Sequence, residues 1–123
     1  MRKCVLIVED DNLARQSLVA NLEPLKIKVL EAKDGLEGLT AVKRHQPDLV
    51  VADIHMPGMD GLEMISQMRK QPWGKEIPVI IMTTDNTSET LYDALKGGVS
   101  VYLSKTSLSV DAFAAQIKQA LGL

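Results

Sequence analysis

Five short apolar runs punctuate the chain: Cys4 to Val8, Ile27 to Leu30, Leu49 to Ala52, Val79 to Met82 and Val99 to Leu103. The first, third and fourth are nearly unbroken Val, Ile and Leu, the pattern of strands buried on both faces of a parallel sheet. Lys28 and Ser100 interrupt the second and fifth, which predicts strands nearer the sheet edges. Helical spacing fills the intervals. Asp11 or Asn12 caps a first helix with Ala14, Leu18, Leu22 and Leu25 on one face and Pro24 near its end. Leu39 and Val42 mark a second helix after Asp34-Gly35, stopped before Pro47. Leu62, Ile65 and Met68 or Arg69 mark a third, ended by a turn from Gln71 to Gly74. Asn86, Thr87 and Ser88 offer caps for a fourth, with Leu91 and Leu95 inward and Gly97-Gly98 closing it. Val110, Phe113, Ala114, Ile117 and Leu121 form the apolar stripe of the last.

Strand and helix thus alternate five times with short connections. This predicts a three-layer α/β fold, (βα)5, with right-handed crossovers. The 123 residues suit one domain with a sizeable core, and 46% hydrophobic against 24% charged is a globular balance that excludes disorder. Fourteen basic against sixteen acidic residues lack the basic excess of a general nucleic-acid binder. Trp73, Tyr92, Tyr102 and Phe113 are the whole aromatic complement, too few for a platform on which bases stack. A single cysteine, Cys4, excludes a disulfide framework and fits a reducing compartment. The opening apolar run is too short to span a membrane, so a cytoplasmic protein without membrane insertion is expected.

The chemistry lies in where the acids and hydroxyls fall. Glu9, Asp10 and Asp11 follow the first strand, Asp53 ends the third, Thr83 and Thr84 end the fourth, and Lys105 follows the fifth. Ligands of open α/β sheets bind beyond the carboxyl ends of the strands, where the strand order reverses. If the first and third strands are neighbours, as in the order 2-1-3-4-5, then Glu9, Asp10 and Asp53 share one pocket, bordered by Thr83 and Lys105. Each charged pair at about 5 Å costs roughly 3 kcal/mol at an effective dielectric near 20. Such a cluster calls for a compensating cation, and hard oxygen ligands completed by water suit Mg²⁺ better than Ca²⁺ or Zn²⁺. Solvated loop acids or helix caps are the alternative for any one position, and for Asp11 the cap is the stronger reading.

Within this frame the chain resembles the response regulator receiver domains of His-to-Asp phosphorelays, of the chemotaxis type. The resemblance covers nearly the whole chain. It rests on Val8-Glu9-Asp10-Asp11, on the block from Pro47-Asp48-Leu49 through Asp53-Ile54-His55-Met56-Pro57-Gly58-Met59-Asp60-Gly61, on Pro78 to Thr83, and on Tyr102-Leu103-Ser104-Lys105. It implies a flavodoxin-like fold with a five-stranded parallel sheet of order 2-1-3-4-5 and helices on both faces. Asp53 would be the phosphoacceptor, taking a phosphoryl group from a histidine kinase or phosphotransfer protein to give an acyl phosphate. Glu9, Asp10, Asp53 and the backbone carbonyl of His55 would hold Mg²⁺, and Lys105 would pair with the phosphoryl group. Thr83 resembles the switch hydroxyl and Tyr102 the aromatic that follows it. Taken alone, Lys105 reads as a surface lysine and Tyr102 as a half-buried strand aromatic. Met56 and Met59 read as local packing, and Pro57 and Gly61 as shaping the loop.

Two positions depart from the family. Thr106 stands where proline usually follows the lysine, so a trans peptide is expected there, because cis before threonine costs about 3 kcal/mol. Thr84 replaces a small residue, and with His55 and Asp85 it is expected to tune the phosphate lifetime. An exposed loop histidine is the plainer reading of His55.

These features predict a switch that turns over no outside substrate and is therefore not an enzyme. A single receiver domain over residues 1–123, with no output domain, would act on a downstream protein through its fourth helix, fifth strand and fifth helix. Direct nucleic-acid contact is not expected, and the chain would be a monomer or weak dimer. One alternative is a receiver cut from a larger regulator, for example a DNA-binding one. Another is an aspartyl-phosphate phosphohydrolase, which would want Asp-x-Asp where Asp53-Ile54-His55 stands, together with a cap domain. A flavodoxin-like electron carrier would need a Ser/Thr/Gly-rich loop after the first strand, where Glu9-Asp10-Asp11 would repel a flavin phosphate.

Overall fold

The computed structural model describes residues 2–84, 96, 98, 99, 101–105 and 109–123, with Tyr102 as backbone only. The predicted fourth helix, with Leu91, Leu95 and Gly97, lies outside the described residues, as do Asp85 and Thr106. Five parallel strands form one sheet in the order β2-β1-β3-β4-β5, where β1 is Cys4–Val8, β2 Lys28–Ala32, β3 Leu49–Asp53, β4 Val79–Thr83 and β5 Val101–Ser104. The interrupted runs are indeed the edges, and the continuous ones lie between them.

Alternation along the central strands divides the core in two. Leu6, Val8, Val50, Ala52, Val79 and Ile81 point to the side covered by α2 (Gly35–His45) and α3 (Gly61–Arg69), where Val42, Met64, Ile65 and Met68 meet them. Val5, Ile7, Leu49, Val51, Ile80 and Met82 point to the other side, against Leu22 of α1 (Asn12–Leu22) and Phe113, Ile117 and Leu121 of the C-terminal helix (Val110–Leu121). This is the three-layer arrangement that the alternation predicts, in the flavodoxin-like order that the resemblance implies. Every central strand is covered on both faces, which is why its sequence is apolar at successive positions.

Each of the four α-helices just given begins on a side-chain cap. Asp11 accepts from Ala14 N at 2.8 Å, Asp34 from Glu37 N at 2.7 Å, Asp60 from Glu63 N at 2.8 Å and Ser109 from Ala112 N at 3.1 Å. Asp11 is thus the cap of α1, as the stronger sequence reading has it.

Three boundaries differ from the apolar pattern. β2 is Lys28–Ala32 rather than Ile27 to Leu30, because pairing with β1 runs from Cys4↔Lys28 to Val8↔Ala32, and an edge strand tolerates the exposed Lys28 and Glu31. β5 begins at Val101, which pairs with Ile80, while Val99 is buried ahead of the strand. Val110 does not belong to the buried stripe of the last helix. It is 56% exposed, and the helix's buried residues begin at Phe113, one turn further on. No helix among the described residues is long and apolar enough to cross a membrane.

Candidate functional site

β1 and β3 are neighbours, with β2 on one side and β4 on the other, so the strand order reverses between them. Residues just past their carboxyl ends therefore meet over the sheet. Carboxylate oxygens of Glu9, Asp10 and Asp53 lie within 4.8 Å of one another. Glu9 is buried, Asp53 is partly buried and Asp10 is exposed, so the cluster is graded from the sheet edge to solvent. Lys105, next after β5, reaches in from the far side. Its ammonium donates to both oxygens of Glu9 at 3.1 Å and to Asp53 Oδ2 at 3.0 Å. The Lys105 N–H donates to the Thr83 carbonyl at 3.0 Å, which ties the lysine to the end of β4.

The electrostatics follow from that packing. Burial, and next the charge of Asp53, push the Glu9 carboxyl up from 4.5 to about 7, although Lys105 pulls the other way. For Lys105, burial favours the neutral amine, but hydrogen bonds and charge from Asp53 and then Glu9 outweigh it and raise the ammonium above its ordinary value. Three carboxylates against one ammonium leave an excess of negative charge facing solvent at Asp10. Oxygen donors at this separation, with an open side for water, fit a hard divalent cation such as Mg²⁺.

Thr83 is fully buried at the end of β4, whereas Thr84 is exposed. His55 is exposed, as its plainer reading holds, and its backbone N–H contacts Asp53 Oδ1 at 3.4 Å. Tyr102 pairs with Ile81 in the β4–β5 ladder; its side chain, like Asp85, lies outside what is described. Met56 is buried in the core beside α3 and Met59 packs against the same cluster, both as packing residues.

The loop after β3 is shaped by two glycines. Gly58 has φ of 73°, a left-handed conformation that favours glycine. At Gly61 the chain returns so close that a Cβ would run into the Asp53 carbonyl, and its N–H donates to Ile54 O at 2.8 Å. The start of α3 is thereby pressed onto the end of β3.

Two residues near the site escape sequence reasoning. Asp60, the cap of α3, carried a legible signal, since Glu63 follows it three positions on. Arg15 carried none. Its Nη1 donates to the Glu9 carbonyl at 2.9 Å, Nε to Glu31 Oε1 at 3.0 Å and Nη2 to Asn12 Oδ1 at 2.7 Å.

A doubly covered parallel sheet with clustered acids and a lysine at its switch point defines a class, and the comparisons agree. The chain belongs to the response regulator receiver domain family, whose model matches residues 5–118. It is 33% identical over 122 residues to the polar-differentiation response regulator DivK of Brucella anthropi, covering 99% of this chain and 98% of that protein. It is 35% identical over 101 residues to the response regulator MprA of Mycobacterium sp. (strain KMS), covering 82% of this chain but only 43% of that protein. The chain thus spans less than half the length of that longer relative. Among solved structures, the Vibrio cholerae chemotaxis protein CheY4 superposes with a TM-score of 0.91 at 26% identity, covering 98% of this chain and 100% of that one.

Proposed function

We propose that this receiver domain is a phosphorylation-activated switch in which Asp53 accepts the phosphoryl group. The observation that carries the reading is the meeting of Glu9, Asp10 and Asp53 within 4.8 Å, with Lys105 3.0 Å from Asp53. A carboxylate oxygen of Asp53 attacks phosphorus, the bond from phosphorus to the donor breaks, and the donor leaves with the electron pair. Receiver domains work with histidine kinases, and the donor here is a histidine kinase or phosphotransfer protein.

Glu9, Asp10 and Asp53, with the His55 carbonyl, would hold Mg²⁺, which when bound neutralises charge on the phosphoryl oxygens. Lys105 is already hydrogen-bonded to Asp53 Oδ2, so it is placed to follow the new negative charge, releasing Glu9 in part. Thr83 supplies the hydroxyl that reports phosphorylation, and Tyr102 moves with it. The change spreads to the fourth helix, fifth strand and last helix, where a downstream protein binds. The protein turns over no outside substrate. Relatives include one of matching length and one of which the match covers only 43%, so the same switch serves in either setting.

Exposure to acetyl phosphate with and without Mg²⁺, followed by intact mass measurement, tests the reading. A metal-dependent gain of one phosphoryl group, abolished in Asp53→Asn, is expected. No gain in the wild-type protein, or an equal gain in the variant, overturns it.

A further inference from the structure

Arg15 stands in the first turn of α1, where the helix dipole disfavours a cation and the turn itself holds no acidic residue, the Asp11 cap being engaged with the Ala14 N–H. Its ion pair with Glu31 does not account for it either: Glu31 is 47% exposed, and pairs of that kind contribute little. The Arg15 side chain is 14% exposed, and its contacts tie its own helix to β2 and to the loop after β1. Glu31 belongs to β2, Asn12 opens α1, and the Glu9 carbonyl lies in the loop that carries the acids.

That carbonyl is the informative contact. The Glu9 N–H donates to Ala32 O at 3.0 Å, so with Arg15 on the carbonyl both backbone groups of Glu9 are engaged. A peptide unit is planar, and fixing the Glu9 carbonyl fixes the direction in which Asp10 leaves. On the far side of Asp10, Asp11 is held as the cap of α1. Asp10 is thus exposed but carried between two clamped residues, and its carboxylate stays within 4.8 Å of Glu9 and Asp53.

We infer that Arg15 is a positioning residue for the acidic pair: it holds the Glu9–Asp10 peptide so that the site is set for a divalent cation before one arrives. The inference rests on the phosphoacceptor reading above. It locates part of the cation affinity in a residue that touches neither cation nor phosphoryl group, and it makes β2, through Glu31, a support of the site.

The test is calorimetric titration of Mg²⁺ into the unphosphorylated wild type, Arg15→Lys, Arg15→Met and Glu31→Gln. The rate of phosphorylation by acetyl phosphate is measured alongside as a function of Mg²⁺. Loss of a group that orients a metal ligand typically weakens metal binding by about tenfold or more. Arg15→Met should weaken Mg²⁺ by about that factor, raise the half-saturating Mg²⁺ equally, and leave the rate at saturating Mg²⁺ within about twofold of wild type. Arg15→Lys should fall between, because one ammonium cannot engage all three partners. Glu31→Gln should move the constant the same way by less. A purely structural role would lower the melting temperature and the fraction of competent sites without moving the Mg²⁺ constant. Wild-type affinity in folded Arg15→Met overturns the inference; should that variant not fold, wild-type affinity in both Arg15→Lys and Glu31→Gln does so. If the wild type itself takes up no Mg²⁺, the phosphoacceptor reading fails as well, whereas wild-type binding that the variants match removes only the role of Arg15.

Discussion

Lys105 joins two carboxylates that the chain places far from it: its ammonium lies 3.1 Å from both oxygens of Glu9, 96 residues earlier, and 3.0 Å from Asp53 Oδ2, 52 residues earlier. Glu9 is nearly closed off from solvent, with a side chain 4% exposed, and Asp53 is at 11%. Lys105 is the cation that offsets the two neighbouring carboxylates.

Removing that cation should therefore be costly in a pH-dependent way. Leaving a buried charge unpaired typically costs about 3 kcal/mol or more. Lys105→Met should destabilise the Mg²⁺-free protein by about 3 kcal/mol at pH 8, read by urea unfolding. At pH 5 the loss should shrink, because Glu9 then takes up a proton and the repulsion disappears. Equal losses at the two pH values would contradict this account of the site.

Glu9 itself should shape the pH dependence of the wild type. Its folded value of about 7 lies above the 4.5 of an ordinary glutamate, so the folded protein binds the proton more tightly. The contribution is fully present below about 4.5 and is lost as pH rises towards about 7, where the unfolded state has already released its proton. In chelator the melting temperature should fall by several degrees over that window, and Glu9→Gln should flatten the fall. Mg²⁺ should restore stability at neutral pH, because a ligand that binds only the folded form stabilises it.

Gly61 is expected to tolerate no side chain. A Cβ there would strike the Asp53 carbonyl. Gly61→Ala should cost about 1–3 kcal/mol, the usual range for overpacking, and should slow phosphorylation by displacing Asp53. Chemical unfolding and the acetyl phosphate rate read the two effects separately. A variant with wild-type stability and rate would show that the loop moves freely away from β3.

Thr84 tests the tuning of phosphate lifetime. It follows buried Thr83 and is exposed, at the end of the strand that pairs with β3. If its bulk restricts the approach of water to the acyl phosphate, Thr84→Ala should shorten the lifetime severalfold. Loss of label from the phosphorylated protein measures this, and an unchanged decay ends the idea.

Much of the molecule is written locally. Val5 to Val8, Leu49 to Ala52 and Val79 to Met82 are apolar on successive positions because each strand is covered on both faces, and a doubly covered strand has no polar side to reveal. Asp11 and Asp34 announce their helices because a cap acts within three residues. The family motif made the acids and Lys105 legible as a set. Edges were read less well. The limits of β2 and β5 depend on the register of a neighbouring strand, and the exposure of Val110 depends on packing that its own helix does not set.

The sequence by itself determined which segments are strands and helices, that they alternate, and which residues carry charge at the strand ends, since these properties need only neighbours a few positions away. Strand order and long-range contact belong to the tertiary structure. Only when β1 lies beside β3 does Glu9 share a pocket with Asp53. Only in the folded state does Lys105 bridge both acids and Arg15 grip the Glu9 carbonyl. Those are relations between segments far apart in the chain, created when helices packed on both faces of the sheet bring its strand ends together.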